Sequence, residues 1–145
     1  MPAVINHVGC CVTDLERARR FYEGALGFHY DRELRPPEGV SSQLLAIPPP
    51  LGLTAVYLCH GEFTLELLHY DRPGNPEARP RPLNEPGLTH ISITVDNMED
   101  VLDAVPRFGG RVRTETNIGV GVFIEDPDGQ LIELLAAAPD RPGPT

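Results

Sequence analysis

Cysteine is scarce in this 145-residue chain: Cys10 and Cys11 are adjacent and Cys59 is distant. Three thiols so placed cannot form a disulfide framework, which excludes the disulfide-stapled secreted class and points to a reducing, cytoplasmic setting. Long apolar runs are also missing. None approaches the roughly 20 residues that a membrane-spanning helix needs, and the first residues lack a basic stretch followed by an apolar one. Positive charge is in short supply too, with 12 basic against 21 acidic residues and a formal charge of -9. Such a surface repels phosphate backbones and anionic lipid, so neither nucleic acid nor a membrane is an expected partner. What is present is 41% hydrophobic and 23% charged residues, the balance of a globular protein. A chain of this length buries roughly 68–70% of its unfolded surface, enough for one real core.

Sixteen prolines gather in clusters that mark loops, because proline fixes φ and removes an amide donor. The stretch DRPGNPEARPRPLNEP joins proline to charge and reads as a linker between two halves. The expected organisation is one domain: a first unit over 1–70 with an insertion at about 35–52, a linker over 71–87, a second unit over 88–137 and a flexible tail over 138–145. The first unit begins with a strand over Val4 to Val12, and Asp14 stands as N-cap ahead of LERARRFYEGAL, a helix stopped by Gly27. Strands are expected near Phe28 to Leu34, Ser42 to Ile47, Leu53 to Cys59 and Phe63 to Tyr70, the last two joined by a turn at His60-Gly61. The second unit repeats the order: a strand over Leu88 to Val95, a helix from Asn97 that Pro106 ends or kinks, and strands near Arg111 to Glu115, Val120 to Glu125 and Gln130 to Leu135.

An offset of 83 residues aligns His7 with His90, Val8 with Ile91, Val12 with Val95, Asp14 with Asn97 and Gly27 with Gly110. Past the helix the offset is 67, aligning Leu65 with Ile132, Glu66 with Glu133 and Leu67 with Leu134. One βαβββ unit therefore occurs twice, and the 16-residue surplus of the first falls between Arg35 and Gly52, where it is a candidate lid. Two ligand-competent residue types survive in both copies, His7 and His90 on the first strand and Glu66 and Glu133 on the last. Alternation sets His90 with Ser92 and Thr94, away from Ile91, Ile93 and Val95. Glu133 shares its face with Leu131 and Leu135, and Glu66 shares its own with Thr64 and Leu68. A carboxylate on a mostly apolar face needs a partner, and a metal ion is the strongest. Singly, each residue has an ordinary reading as a hydrogen-bonded core histidine or a solvated edge glutamate. Duplication at matched offsets favours a shared metal.

The segments HVGCCVTDLERARRFYEGALGF, GLTHISITVDNMEDVLDAV and DPDGQLIEL resemble the glyoxalase, bleomycin-resistance and extradiol-dioxygenase proteins, the vicinal oxygen chelate superfamily, over almost the whole chain. That resemblance implies an α+β fold of two βαβββ modules forming an open, metal-centred β-barrel. It places His7, Glu66, His90 and Glu133 on the four ligand positions of glyoxalase I, around one divalent ion among Zn, Ni, Co, Mn and Fe. Methylmalonyl-CoA epimerases are similar but usually carry glutamine where Glu66 stands. The implied chemistry is that of a lyase or isomerase. Two imidazoles and two carboxylates leave one or two positions open on a six-coordinate ion, where adjacent oxygens of a small substrate chelate and an enediolate is stabilised. A carboxylate that leaves the ion can take the substrate proton, and Glu133 matches the position that usually does so, with Glu66 the other candidate.

Glyoxalase I usually carries arginine and asparagine four residues after its first and second ligands, both on the glutathione moiety; here Cys11 and Tyr70 stand there. Neither receives a carboxylate as a guanidinium does, which disfavours a glutathione hemithioacetal and leaves both as candidate substrate contacts. Cys11 is expected to be a small buried thiol lining the cavity, not a nucleophile. The competing readings are a dioxygenase of the same superfamily, which requires more open metal positions, and an antibiotic or natural-product binder without turnover. Two units can close a barrel within one chain or across a two-fold partner, and a homodimer is expected.

Overall fold

Asp14 accepts a hydrogen bond from the Arg17 amide at 2.9 Å and starts α1 (Leu15–Leu26), which Gly27 ends at φ 74°, a left-handed conformation that costs glycine nothing. The structure, a computed structural model, describes residues 2–138; the tail expected at 138–145 lies, from Pro139 on, outside the described residues. Before α1 runs β1 (Val8–Cys11). After it come β2 (His29–Leu34), α2 (Glu38–Leu45), β3 (Leu53–His60) and β4 (Phe63–Tyr70). Beyond residues 71–89, which contain neither helix nor strand, follow β5 (His90–Val95), α3 (Met98–Arg107), β6 (Arg111–Val112), β7 (Gly121–Glu125) and β8 (Leu131–Ala136).

The strands form two four-stranded sheets of the same order, β1-β4-β3-β2 and β5-β8-β7-β6. Their registers reproduce both sequence offsets. Val8 pairs with Leu65 and Gly9 with Glu66 in the first sheet, and Ile91 pairs with Ile132 and Ser92 with Glu133 in the second, each in a parallel ladder. The duplication is therefore a duplication of fold.

Several elements differ from the sequence expectation. Val4, Ile5 and Leu88 are exposed, because β1 begins at Val8 and β5 at His90 with no partner strand beyond them. The strand expected over Ser42 to Ile47 is instead the end of α2 and its cap. Both edges of β3 are already occupied, by β2 and β4, while Glu38 in the first turn of α2 accepts the amides of Leu51 (2.8 Å) and Gly52 (3.0 Å). These bonds hold Glu38 below the usual carboxylate range and staple the insertion to the start of β3. The turn between β3 and β4 sits at Gly61-Glu62, since His60 pairs with Phe63. The strand expected over Arg111 to Glu115 stops at Val112 and passes into a single 3-10 turn over Thr114–Thr116. There Thr116 bonds locally, donating to the Arg113 carbonyl at 2.7 Å and accepting from the Phe123 amide at 2.9 Å. Pro106 falls in the last turn of α3, which ends one residue later.

The halves dock through their helices. A Cβ on Gly24 of α1 would stand 2.4 Å from the Phe108 ring, and one on Gly110 would stand 2.3 Å from the Phe21 ring. Each half thus lays a phenylalanine on a glycine of the other. Tyr22 of α1, fully buried, donates from its hydroxyl to Asp126 Oδ2 at 2.8 Å. Asp126, also buried, accepts the amides of Asp128 and Gln130 as well. Asp128 closes the seam by taking the Thr13 amide (3.0 Å), the Thr13 hydroxyl (2.5 Å) and Arg17 (3.2 Å). DPDG is therefore the strap that ties the second half to the start of α1.

This docking leaves one face of each sheet open. On β5, His90, Ser92 and Thr94 are exposed while Val95 is buried. The α+β architecture of paired βαβββ modules is as expected, but the two sheets do not close into a barrel within one chain. The helices of the two halves, α1 and α3, pack against each other.

Candidate functional site

The Gly9–Glu66–Tyr57 register brings the first-half residues together. His7, one residue before β1, directs Nε2 at Glu66 Oε1 across 3.5 Å, with side-chain exposures of 32% and 13%. Its Nδ1 meets Asn6 Oδ1 at 2.5 Å. An amide oxygen can only accept, so in the neutral ring Nδ1 carries the proton and Nε2 the lone pair. Tyr57, opposite Glu66 on β3, donates its hydroxyl to Glu66 Oε2. Its ring packs edge-on to His7 with centroids 5.5 Å apart and carries the Arg32 guanidinium over its face at 4.4 Å. Burial and then the Glu66 carboxylate push the Tyr57 phenol upward, so it stays a donor at neutral pH.

The second half repeats the plan with changed parts. His90 Nδ1 is engaged by the preceding residue, Thr89 Oγ1, at 2.8 Å, and its ring packs edge-on to Phe123 at 5.2 Å. Phe123 stands opposite Glu133 as Tyr57 stands opposite Glu66. Glu133 is held instead by Ser92, whose hydroxyl donates to Oε1 at 2.7 Å. In both halves a side chain one residue upstream occupies the histidine Nδ1 and leaves Nε2 available, the arrangement that orients an imidazole ligand.

The structure joins His7 to Glu66 and places His90 and Glu133 on the corresponding face of the second sheet, but it does not bring the four together. Among the described residues no group of three or more His, Cys, Asp or Glu side chains converges to hold an ion. Cys11 and Tyr70 lie on the first-half face. Burial raises the Tyr70 phenol, with the Cys11 and Glu66 charges adding to it. Cys11 is exposed, which corrects the expectation of a buried thiol. The more buried thiol is that of its partly buried neighbour Cys10, pushed up to about 12 by desolvation and the Asp126 charge. A cavity of about 500 Å³ is lined by Val8 of β1, Leu65 of β4, His90, Ser92 and Thr94 of β5, and the rings of Phe28 and Phe63. Sequence reasoning missed Tyr57 and Asn6. The offset that aligned the histidines also aligns Asn6 with Thr89, a signal visible only once the ring's second nitrogen is considered.

No helix among the described residues is long and apolar enough to cross a membrane. A family model described as the Glyoxalase/Bleomycin resistance protein/Dioxygenase superfamily matches residues 4–134. The mitochondrial methylmalonyl-CoA epimerase of Bos taurus is 30% identical over 141 residues, covering 92% of this chain and 74% of the epimerase. The lactoylglutathione lyase of Salmonella typhimurium is 30% identical over 136 residues, 90% of each chain. A crystal structure of a glyoxalase family protein from Bacillus cereus superposes with a TM-score of 0.78 at 17% identity, covering 91% of this chain and 92% of that one. Matched over nearly its whole length in sequence, and built as the same pair of modules, the chain belongs to the glyoxalase, bleomycin resistance protein and dioxygenase superfamily.

Proposed function

We propose that the protein is a cytoplasmic, metal-dependent lyase or isomerase that moves a proton next to a carbonyl of a small substrate with adjacent oxygens. The observation that carries this reading is the matched pair of half-sites, above all His7 Nε2 at 3.5 Å from Glu66 Oε1. Two donors on one ion stand about 3 to 3.5 Å apart when each bond is near 2.1 Å. The first half fits as half of a ligand set, the second places His90 and Glu133 on the corresponding face of its sheet, and one chain brings no third donor to either half among the described residues. The proposed assembly is accordingly a homodimer, with His7 and Glu66 of one protomer facing His90 and Glu133 of its partner. The open face of β5 and the exposed Val4, Ile5, Leu88, Ile118 and Val120 are the surfaces such a partner would cover.

A divalent ion bound there supplies Lewis-acid stabilisation of charge on the substrate oxygens. The protein's side chains do the rest. Glu133 takes the proton, and Glu66, gripped by Tyr57, stays in place. Cys11 and Tyr70 border the substrate where a glutathione-binding site needs a cation, so the substrate is not the glutathione hemithioacetal. Relatives that include both an epimerase and a lyase support this class of chemistry. Two carboxylates weigh against the dioxygenase reading, because they leave fewer open positions for oxygen.

The test is elemental analysis of protein purified without added metal, followed by a screen of 2-oxoaldehyde adducts, acyl-CoA thioesters and other vicinal-oxygen compounds for solvent deuterium uptake at the α-carbon. Bound metal with deuterium uptake supports the proposal. Ligand binding without metal would favour a sequestering protein.

A further inference from the structure

The two half-sites match in ligands and differ in what holds them. In the first, Glu66 faces a tyrosine on β3 and a glycine on β1; in the second, Glu133 faces a phenylalanine on β7 and a serine on β5. The supporting hydroxyl has changed strands. Tyr57 donates from the end of a rigid ring that is buried and packed perpendicular to His7, with the Arg32 guanidinium over its face. Ser92 donates from a short side chain on an exposed strand face, one rotor away from other positions. A ring with two constrained torsions holds its hydroxyl in one place, whereas a serine hydroxyl turns to follow its acceptor.

Resting on the metal-site reading above, we infer that Tyr57 and Ser92 are positioning residues that make the duplicated carboxylates unequal, Tyr57 fixing Glu66 as the stationary ligand and Ser92 leaving Glu133 free to swing. The fold offers a way to move the support. A Cβ on Gly9 would lie 3.6 Å from Glu66 Oε1 and 3.6 Å from Leu68, ordinary contact, so Gly9→Ser sets a serine beside Glu66 as Ser92 stands beside Glu133. Phe123→Tyr places a phenol opposite Glu133 in the same way.

The experiment uses the intact, metal-stripped protein with Co²⁺ as probe. Tyr57→Phe keeps the ring that packs on His7 and Arg32 and should weaken Co²⁺ binding about tenfold or more, the usual loss when an outer hydrogen-bond partner of a ligand is removed. Ser92→Ala should weaken it less than Tyr57→Phe does, and Gly9→Ser on the Tyr57→Phe background should recover part of the loss. Thermal midpoints run alongside show that these changes are not loss of fold. Side-chain ¹³C relaxation of metal-free protein gives a readout that needs no metal: Glu66 should be the more rigid, should loosen in Tyr57→Phe, and Glu133 should stiffen in Phe123→Tyr. Equal rigidity of the two glutamates, or equal affinity losses in Tyr57→Phe and Ser92→Ala, overturns the inference. Unequal rigidity in a protein that binds no Co²⁺ supports the unequal hold of Tyr57 and Ser92 on the two carboxylates and overturns the metal-site reading, and with it their roles as ligands.

Discussion

A Cβ added to Gly110 would meet Phe21 at 2.3 Å and the Glu125 carbonyl at 2.7 Å, so this glycine is where the first helix enters the second half. The ring could tilt, but the carbonyl belongs to β7 and cannot. Gly110→Ala should therefore destabilise the fold by about 1–3 kcal/mol, the ordinary cost of overpacking. Chemical denaturation checks this. Unchanged stability would mean that the backbone at Gly110 does not approach the Phe21 ring and the Glu125 carbonyl this closely.

The Tyr22–Asp126 bond crosses the same seam. Tyr22→Phe removes one donor from a buried carboxylate and should cost about 1–3 kcal/mol. Burial raises the Asp126 carboxyl above its ordinary value despite the donors around it. Its contribution is then full below the unfolded value of about 3.9 and is lost as pH rises through the raised folded value. The stability of the wild type minus that of Asp126→Asn should consequently fall as pH climbs from about 4, where the unfolded carboxyl titrates, toward neutrality. A difference that rises over that range contradicts the assignment.

Thiol chemistry separates the adjacent cysteines. Cys10, raised to about 12, should resist alkylation throughout the neutral range. Exposed Cys11, raised less by burial and Asp128, should be modified first at pH 8. Mass spectrometry after a timed iodoacetamide pulse reads the order, and modification of Cys10 ahead of Cys11 would reverse the burial argument.

The duplication was legible because the offsets of 83 and 67 map one parallel ladder onto the other: the Val8–Leu65 pair becomes Ile91–Ile132, so the pairing partners correspond in both copies although the first unit is 16 residues longer. Helix α1 was legible from its cap and stop. Helix α2 was not, since its hold on Leu51 and Gly52 comes from Glu38, a charged residue that carries no strand or helix period. The four ligand candidates could be read from repetition, but the separation of the two half-sites could not. Whether paired modules face each other within a chain is decided by the Phe21–Gly110 and Phe108–Gly24 contacts, which lie on the helix side of the sheets. Tyr57 was hidden for another reason. At the offset of 67 it aligns with Ile124, a fully buried residue, so the repeat reads it as core, and only the strand register sets it opposite Glu66 as Phe123 is set opposite Glu133.

The carboxylates should differ in function. Glu133→Gln keeps an oxygen that can coordinate but cannot accept a proton at neutral pH, so metal binding should weaken while substrate α-hydrogen exchange is lost by about 100-fold or more, the scale of general-base catalysis. Glu66→Gln should retain more exchange. Equal loss in the two variants would assign the base to neither, and retained exchange in Glu133→Gln would leave that residue a ligand only.

Mixing two dead variants tests the shared site most directly. His7→Ala and His90→Ala homodimers should each bind no metal tightly, because every site in them lacks one imidazole. Co-expressed with different tags and purified as heterodimer, they should recover one tight site per dimer, formed by His7 and Glu66 of the His90→Ala chain with His90 and Glu133 of the His7→Ala chain. Titration with Co²⁺ giving one ion per heterodimer is the predicted result. No tight binding in the heterodimer, with two ions in the wild-type dimer, would place all four ligands of each site in a single chain and contradict the account.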